Sequence, residues 1–323
     1  MSRVHCVSIP GQTSALQYGL LHEPDRHAAR GVCLLLLSPG IKGRVGPHRL
    51  YVKIAAHLVR LGFHVLRFDF PGLGDSQGTA SETVLADMYN SILSGRYVDD
   101  TIAAMDWMES NYDVRRFVGS GLCGGAMTAL LTASVDLRIE CLLGIGLPTV
   151  LEGGPEDWAR ALTRHQISDL RTTYLSKLAN PASWARFASG HSDYRAIWRV
   201  IMNRFVVRTS RAVADTPRVD SLPDNVNPRF ADAFTAMLES ARTVLLVYSG
   251  ADRLGYQFRE TFEKQHGEKL RGWSHHYQVH FIERANHILS DTAWVAELCA
   301  VAEAWLVGHY GQVASPPQVD VVA

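Results

Sequence analysis

One short segment, residues 116–126, limits this chain to folds in which a strand turns sharply into a helix. Its sequence is Arg-Phe-Val-Gly-Ser-Gly-Leu-Cys-Gly-Gly-Ala, in which an apolar run reaches a glycine-rich turn. Gly121 and Gly125 flank Cys123, each two positions away. Glycine is needed where a turn strains the backbone and where strand and helix leave no room for a Cβ atom. The segment therefore predicts a strand–turn–helix unit with a thiol at its apex.

The rest of the chain alternates apolar runs of strand length with longer amphipathic stretches. We predict strands at residues 15–21, 32–37, 64–70, 117–118, 140–147, 243–249 and 277–283, and helices at residues 50–61, 98–109, 124–134 and 292–306. The run 32–37 is apolar throughout, as expected of a strand covered on both faces. This alternation predicts an α/β fold, a mostly parallel twisted sheet with helices on both faces.

A long stretch without strand character interrupts the alternation after the predicted strand 140–147. It reads as helical and contains Trp158, Trp184 and Trp198, which could form apolar walls of a pocket or ordinary core. The chain is therefore predicted to consist of a core of residues 1–150 and 228–310, a helical cap of residues 151–227 inserted after the sixth strand, and a flexible tail of residues 311–323.

Charge and hydropathy exclude several classes of protein. The 32 basic residues balance the 32 acidic ones, so nothing in the overall charge suggests binding to nucleic acid. The amino terminus lacks the apolar stretch of a signal peptide, and the longest apolar runs are far too short to span a membrane. We therefore expect a protein of the cytoplasm that binds neither membranes nor nucleic acid.

The five cysteines show no metal-binding spacing and no C-x-x-C pair. A reducing compartment is consistent with this usage. Four of the cysteines lie in apolar strand-like or helical runs, and we predict that they are buried, unreactive packing residues: Cys6, Cys33, Cys141 and Cys299. Cys123 is then the one cysteine with a predicted chemical role.

Two further polar residues follow predicted strands and complete a set of three with Cys123. Asp252 comes after strand 243–249, and His287 comes after strand 277–283. Because open α/β sheets place their ligands at the carboxyl ends of their strands, we expect the three side chains to meet there. His280 is a rival histidine but lies inside a predicted strand, while Glu152 and Asp157 are possible substitutes for the acid.

Other motifs favour structural roles. Asp69 is predicted to hold its own turn. The pair His275–His276 has no third ligand nearby and would point to opposite sides of a strand, so no metal site is predicted. Gly119, Gly121 and Gly124 match G-x-G-x-x-G, yet they lie in mid-chain and are explained by the turn around Cys123, so no dinucleotide cofactor is predicted.

The chain order nucleophile, acid, histidine and the G-x-C-x-G turn resemble the α/β-hydrolase superfamily over nearly the whole sequence. The segment 68–76, Phe-Asp-Phe-Pro-Gly-Leu-Gly-Asp-Ser, resembles the D-x-x-G-x-G-x-S turn common in that superfamily. Cysteine in place of serine is found in a minority of members, such as dienelactone hydrolases. Among cysteine-bearing branches, the triad type and the cap resemble the Dieckmann cyclases of tetramate and pyridone biosynthesis. Segments 44–49 and 181–184 are also similar to hydrolases associated with bacterial exosortase systems.

The resemblance implies a role for each residue. His287 would exchange the proton of the Cys123 thiol, and Asp252 would fix the imidazole tautomer and stabilise its cation. The backbone N–H groups of Gly124 and Ile41 would stabilise negative charge on the substrate carbonyl oxygen. The helix that begins at Gly124 would favour a thiolate.

The predicted cap carries an unusual charge. Residues 160–212 hold ten basic and two acidic residues, a net charge of +8 in a chain whose total is zero. A solvated helix face is one explanation. The other is docking of an acidic acyl or peptidyl carrier protein, which presents its substrate on a phosphopantetheine arm.

The spacing itself indicates only a nucleophile, a base and an acid, and the resemblance to Dieckmann cyclases implies a cysteine enzyme that accepts an acyl-aminoacyl thioester from its carrier. The acyl chain would then close on itself by a Dieckmann-type carbon–carbon bond and leave as a tetramate-like product. A hydrolase of thioesters, esters or lactones with the same three residues is the alternative. A non-catalytic binding module that kept the fold is a further alternative.

Overall fold

The apolar runs of the sequence assemble into one sheet in the computed structural model, which describes residues 2–80, 82–151 and 225–311. The strands in these residues are β1 Arg3–Pro10, β2 Leu16–Glu23, β3 Val32–Leu37, β4 His64–Phe68, β5 Arg116–Leu122, β6 Ile139–Ile145, β7 Thr243–Ser249 and β8 Tyr277–Ile282. They pair in the order β1-β2-β4-β3-β5-β6-β7-β8. The first two pairings are antiparallel and the other five are parallel. The predicted mostly parallel sheet is therefore confirmed.

Helices follow most of the parallel strands. They are α1 Leu50–Leu58, α2 Leu85–Leu93, α3 Val98–Tyr112, α4 Gly124–Val135, α5 Pro228–Glu239, α6 Leu254–Phe258, α7 Lys264–Gly272 and α8 Thr292–Tyr310. A π-helical turn, Arg259–Glu263, joins α6 to α7. Of the described helices, none is long and apolar enough to cross a membrane.

Both faces of the sheet are covered, as the continuous apolar character of β3 predicts. The side chains of β3 alternate between two hydrophobic clusters, with Cys33, Leu35 and Leu37 in one and Val32, Leu34 and Leu36 in the other. The first cluster includes residues of α3, α4 and α5, and the second includes residues of α1 and α8. Helices therefore pack on both sides, which leaves the carboxyl ends of the parallel strands as the place for a site.

Several elements of the structure are not among those predicted from the sequence. The structure adds β1, α2, α5, α6 and α7 to the predicted elements. The prediction that Cys6 is buried is wrong, because Cys6 lies on β1, where most side chains face solvent, and is exposed. An edge strand has a neighbour on one side only, so its composition is mixed and its apolar signal is weak. Cys33, Cys141 and Cys299 are buried, as predicted.

The two ends of the predicted insertion lie side by side. Val150 and Val226 form an antiparallel bridge. The N–H of Leu151 donates to the carbonyl of Asn225 at 2.8 Å, and the N–H of Asn227 donates to the carbonyl of Thr149 at 2.9 Å. The chain thus leaves and re-enters the core at one point. The rest of the predicted cap, including its three tryptophans, its cationic stretch, Glu152 and Asp157, lies outside the described residues, as does the tail beyond Gly311.

We expect Gly125→Ala to destabilise the fold. An added Cβ at Gly125 would lie 2.2 Å from the carbonyl oxygen of Leu37, which belongs to the sheet backbone and cannot move aside cheaply. The free energy of unfolding should fall by about 2–4 kcal/mol, measured by urea unfolding. Gly267→Ala in α7 is the matched control, because an added Cβ there meets nothing within 4 Å. This control should raise the free energy of unfolding by no more than about 1 kcal/mol. A similar loss of stability in both variants would contradict the steric explanation.

Candidate active site

Cys123 lies at the sharp turn between β5 and α4. Its backbone has φ 54° and ψ −114°, a conformation that residues other than glycine rarely adopt. Two hydrogen bonds hold it there: its N–H donates to the carbonyl of Ile145 at 2.8 Å, and its carbonyl accepts from the N–H of Met127 at 3.1 Å. A Cβ at Gly121 would lie 2.5 Å from the carbonyl carbon of Gly125, so both glycines are required by close approach. The predicted strand–turn–helix unit is confirmed.

The sulfur of Cys123 also sits at the positive end of a helix. Cys123 is the N-cap residue of α4, and no acidic side chain lies in the first turn of that helix. The unpaired N–H groups of a helix N-terminus favour negative charge nearby. In contrast, burial raises the pKa of the Cys33 thiol well above its usual value and that of the Cys299 thiol to about 11. Cys123 is partly exposed, so its environment differs from that of the packing cysteines.

Asp252 and His287 meet although 35 positions separate them in the chain. The Nδ1 atom of His287 lies 2.5 Å from Oδ2 of Asp252. Asp252 follows β7 and His287 follows β8, and these strands are neighbours. Two hydrogen bonds join the loops that carry them: the N–H of Ala251 donates to the carbonyl of Ala285 at 3.1 Å, and Oγ of Ser249 donates to the carbonyl of Asn286 at 2.8 Å. The carboxylate and the imidazole are therefore held together by hydrogen bonds between the segments that carry them.

His287 also reaches Cys123, which completes the predicted set of three. Burial lowers the pKa of His287, but hydrogen bonds with Asp252 and Cys123, with the negative charge of both, raise it to about 10. The imidazole ring lies over Gly146, where an added Cβ would be 3.5 Å from Cε1 of the ring. The structure thus brings Cys123, His287 and Asp252 together, with the imidazole in contact with both the thiol and the carboxylate.

The two predicted oxyanion donors belong to adjoining segments. An added Cβ at Gly124 would lie 3.0 Å from the Cα of Gly40, so the start of α4 touches the loop that follows β3. Ile41 is the next residue of that loop. The other side of Gly40 faces the ring of Tyr89 on α2, where an added Cβ would lie 2.7 Å from the ring. The loop therefore packs against both α2 and α4. The donor roles of Ile41 and Gly124 stay a prediction.

Comparison with known proteins identifies the family. The model of the Alpha/beta hydrolase family matches residues 35–301. The chain belongs to the α/β-hydrolase family. The predicted fold and the prediction of an enzyme are thereby confirmed. Among curated proteins, no sequence matches this α/β hydrolase.

Solved structures show the same fold. A serine hydrolase without a lid from Xanthomonas campestris is 14% identical, covers 97% of both chains and has a TM-score of 0.52. An esterase from Pyrococcus furiosus is 16% identical over 94% of this chain and 90% of its own, with a TM-score of 0.53. A dienelactone hydrolase from Anabaena variabilis is 16% identical over 96% of this chain and 98% of its own, with a TM-score of 0.52. At these identities the likeness concerns the fold alone.

The rival residues have other partners in this α/β hydrolase. His280 lies on β8 and is bonded to Glu297 at 2.9 Å. Asp69 is buried, and it accepts hydrogen bonds from the side chain of Arg44 and from the N–H of Asp75, the latter at 3.2 Å. Asp69 therefore holds its turn, as predicted. Within the described part of the chain, no group of three or more His, Cys, Asp or Glu residues is placed to hold a metal ion.

We expect the pKa of His287 to fall in the variant Cys123→Ala. The substitution removes the hydrogen bond and the negative charge of the sulfur, two of the causes that raise this pKa to about 10. Because folding raises the pKa, charged His287 stabilises the folded protein at neutral pH, and that contribution is lost as the pH rises through about 10. NMR titration of the imidazole nitrogens measures the pKa of His287 in the wild type and in the variant. Cys6→Ala is the control, and an unchanged pKa in Cys123→Ala would contradict the contact.

Proposed function

We propose that this α/β hydrolase is an acyl-transfer enzyme that uses Cys123 as its nucleophile. One observation carries the proposal: His287 contacts Cys123 on one side and is bonded to Asp252 at 2.5 Å on the other. An imidazole held in this way can accept a proton from the thiol and return it to a leaving group. The resting site is then a thiolate beside an imidazolium, consistent with the raised pKa of His287.

In the first half of the reaction, Cys123 attacks the carbonyl of an acyl thioester. A bond forms between the sulfur and the carbonyl carbon, and the oxygen becomes negative, stabilised by the N–H groups of Gly124 and Ile41. Collapse of this intermediate breaks the bond to the carrier thiol, which leaves with the proton from His287. Because a thioester replaces a thioester, this exchange is nearly thermoneutral. It leaves an acyl group on Cys123 and a neutral imidazole.

In the second half, we propose that the acceptor is a carbanion within the acyl chain. Neutral His287 takes a proton from the active methylene of a β-ketoacyl-aminoacyl group, and the carbanion attacks the carbonyl carbon on Cys123. The carbon–carbon bond forms, the carbon–sulfur bond breaks, and the thiolate leaves beside the imidazolium. Thiolate is a better leaving group than alkoxide, since a thiol pKa is ordinarily about 8.5. This favours ring closure, the reaction that the resemblance to Dieckmann cyclases implies.

The proposed donor is a carrier protein that bears its substrate on a phosphopantetheine arm. The support is the net charge of +8 at residues 160–212, which would attract an acidic partner. A reaction of this kind needs no metal and no cofactor, because each proton and each electron pair passes between the substrate, Cys123 and His287. The place proposed for the reaction is the cytoplasm, where a free thiol stays reduced.

Hydrolysis is the second candidate, and the names of structurally similar proteins favour it. Two of them are an esterase and a dienelactone hydrolase. In that case neutral His287 would take a proton from water, and the resulting hydroxide would release a free acid from Cys123. The first half of the reaction would be unchanged.

A single substrate separates the two candidates. An activated β-ketoacyl-aminoacyl thioester is mixed with the protein, and intact mass spectrometry is used to detect the acyl group on Cys123. The released product is identified by its mass, since the ring form lacks one water relative to the free acid. A ring product supports cyclisation. Free acid alone, above the rate in the absence of protein, contradicts cyclisation and supports the hydrolase. No acyl group on Cys123 contradicts both.

A further inference from the structure

Tyr51 places a hydroxyl group between two strands, next to the nucleophile. It lies in the first turn of α1, and its side chain is fully buried. The hydroxyl donates to the carbonyl of Leu37 at 2.7 Å and accepts the N–H of Leu122 at 2.7 Å. Leu37 is the last residue of β3, and Leu122 is the last residue of β5. One oxygen atom thus joins the carboxyl ends of both strands.

This hydroxyl takes the place of a direct bond between the strands. The N–H of Cys123 donates to Ile145 at the end of β6, and successive amides of a strand point to opposite sides. The N–H of Leu122 therefore points toward β3. Leu37 is paired in register with Gly121, so a regular parallel ladder would bond the N–H of Leu122 to the carbonyl of Leu37 directly. A hydroxyl that is bonded to both groups at 2.7 Å holds the N–H of Leu122 and the carbonyl of Leu37 further apart than a direct bond would.

The two strand ends joined by Tyr51 lead directly to the predicted oxyanion donors. Leu37 continues into the loop of Gly40 and Ile41, and Leu122 is followed by Cys123 and then by Gly124. Burial chiefly, with the negative charge of Cys123 in addition, raises the pKa of the Tyr51 hydroxyl well above its usual value. The group therefore stays protonated at any working pH. At any such pH, the hydroxyl donates to β3 and accepts from β5.

We propose that Tyr51 is a positioning residue that sets the spacing between the loop after β3 and the turn at Cys123, and so aligns the two oxyanion donors. The inference rests on the proposed function, because it assumes that a carbonyl oxygen becomes negative in the reaction. Without the hydroxyl, the strands should close to a regular ladder, and the N–H groups of Ile41 and Gly124 should no longer point at one oxygen. Alignment of such donors is worth large factors in rate.

The test compares two reactions of Cys123 in the variant Tyr51→Phe. Acylation by S-phenyl thioacetate passes through a negative oxygen and needs the donors, whereas alkylation by iodoacetamide needs only the thiolate. We expect acylation to slow by about 10- to 100-fold and alkylation to change by less than about 2-fold. A wild-type acylation rate, or an equal loss in both reactions, overturns the proposal. Tyr51→Met, which also lacks the hydroxyl, serves in the same comparison if the phenylalanine variant does not fold.

Tyr97→Phe is the matched control. Tyr97 is also buried, but its hydroxyl donates to the carbonyl of Pro71 at 3.4 Å and not to the end of β3 or β5. Tyr97→Phe should leave the rates of acylation and alkylation of Cys123 unchanged. If the wild-type protein forms no acyl group on Cys123, the proposed function fails by itself. A crystal structure of Tyr51→Phe then decides the spacing claim: the carbonyl of Leu37 and the N–H of Leu122 should approach to about 3 Å, and an unchanged gap overturns it.

Discussion

Cys123→Ala should lower kcat/KM about 10⁴-fold while the protein stays folded. The sulfur is the proposed nucleophile, and alanine offers no atom that can form the acyl intermediate. The side chain is only partly buried, so its loss leaves a small cavity and costs little stability. Turnover of an activated thioester, together with thermal unfolding of the same sample, measures both effects.

Two further variants sharpen this result. Cys6→Ala removes an exposed thiol on β1 and should leave the rate unchanged. Cys123→Ser keeps a nucleophile at the same turn but forms an oxoester, which is a poorer acceptor for a carbanion. We expect it to release free acid in place of ring product, at a rate below that of wild type. If Cys123→Ala keeps more than about a tenth of wild-type activity, the proposed role of Cys123 is wrong.

Asp252→Asn should lower kcat about 10³-fold. The carboxylate holds Nδ1 of His287 at 2.5 Å and helps to raise its pKa to about 10. Asparagine removes the negative charge and can turn an N–H toward Nδ1, which favours the wrong imidazole tautomer. The pKa of His287 should fall, so the thiolate beside it loses its counter-ion. Alkylation of Cys123 by iodoacetamide should therefore slow at about pH 7, measured against Cys6 in the same protein.

Asp291→Asn is the matched control for Asp252. Asp291 follows His287 in the same connection, and its exposed side chain accepts the N–H of Ala293 at the start of α8. Asparagine caps a helix as well as aspartate does, so activity and the pKa of His287 should stay as in wild type. Equal losses in the two variants would show that the general negative charge near this loop, and not the contact seen at Asp252, sets the activity.

The parts of the fold that could be predicted are those with strong local signals. Strand β7 and the start of α4 agree with the prediction to the residue, because a buried apolar run and a glycine-rich turn are read from adjacent residues. Strand β1 and helix α2 were missed. Most side chains of β1 face solvent, so this strand lacks the apolar period on which a prediction depends. Helix α2 buries Met88, Ile92 and Leu93 on one face, so a weak apolar period does not explain its absence from the prediction.

The roles of aromatic residues near the site could not be predicted. Tyr51 belongs to the apolar side of α1 and looks like any core residue in the sequence. Its hydroxyl meets Leu122, which lies 71 positions further along the chain. Tyr89 packs on Gly40 from α2, which is not among the predicted elements. Such contacts depend on how β3 and β5 pair, and no spacing in the sequence encodes them.

The sequence by itself determined the chemical identity of the site and the local shape around it. Glycine spacing requires a strained turn at Cys123, since strain and close approach act within a few residues. The chain order already proposes Asp252 and His287 as partners of that thiol, but only the tertiary structure brings them to it. Asp252 and His287 are joined because β7 and β8 lie side by side, and because the end of β7 and the loop after it donate two hydrogen bonds to the loop after β8. Pairing of strands is a long-range outcome of burying both faces of the sheet, so it emerges only when the whole core is assembled.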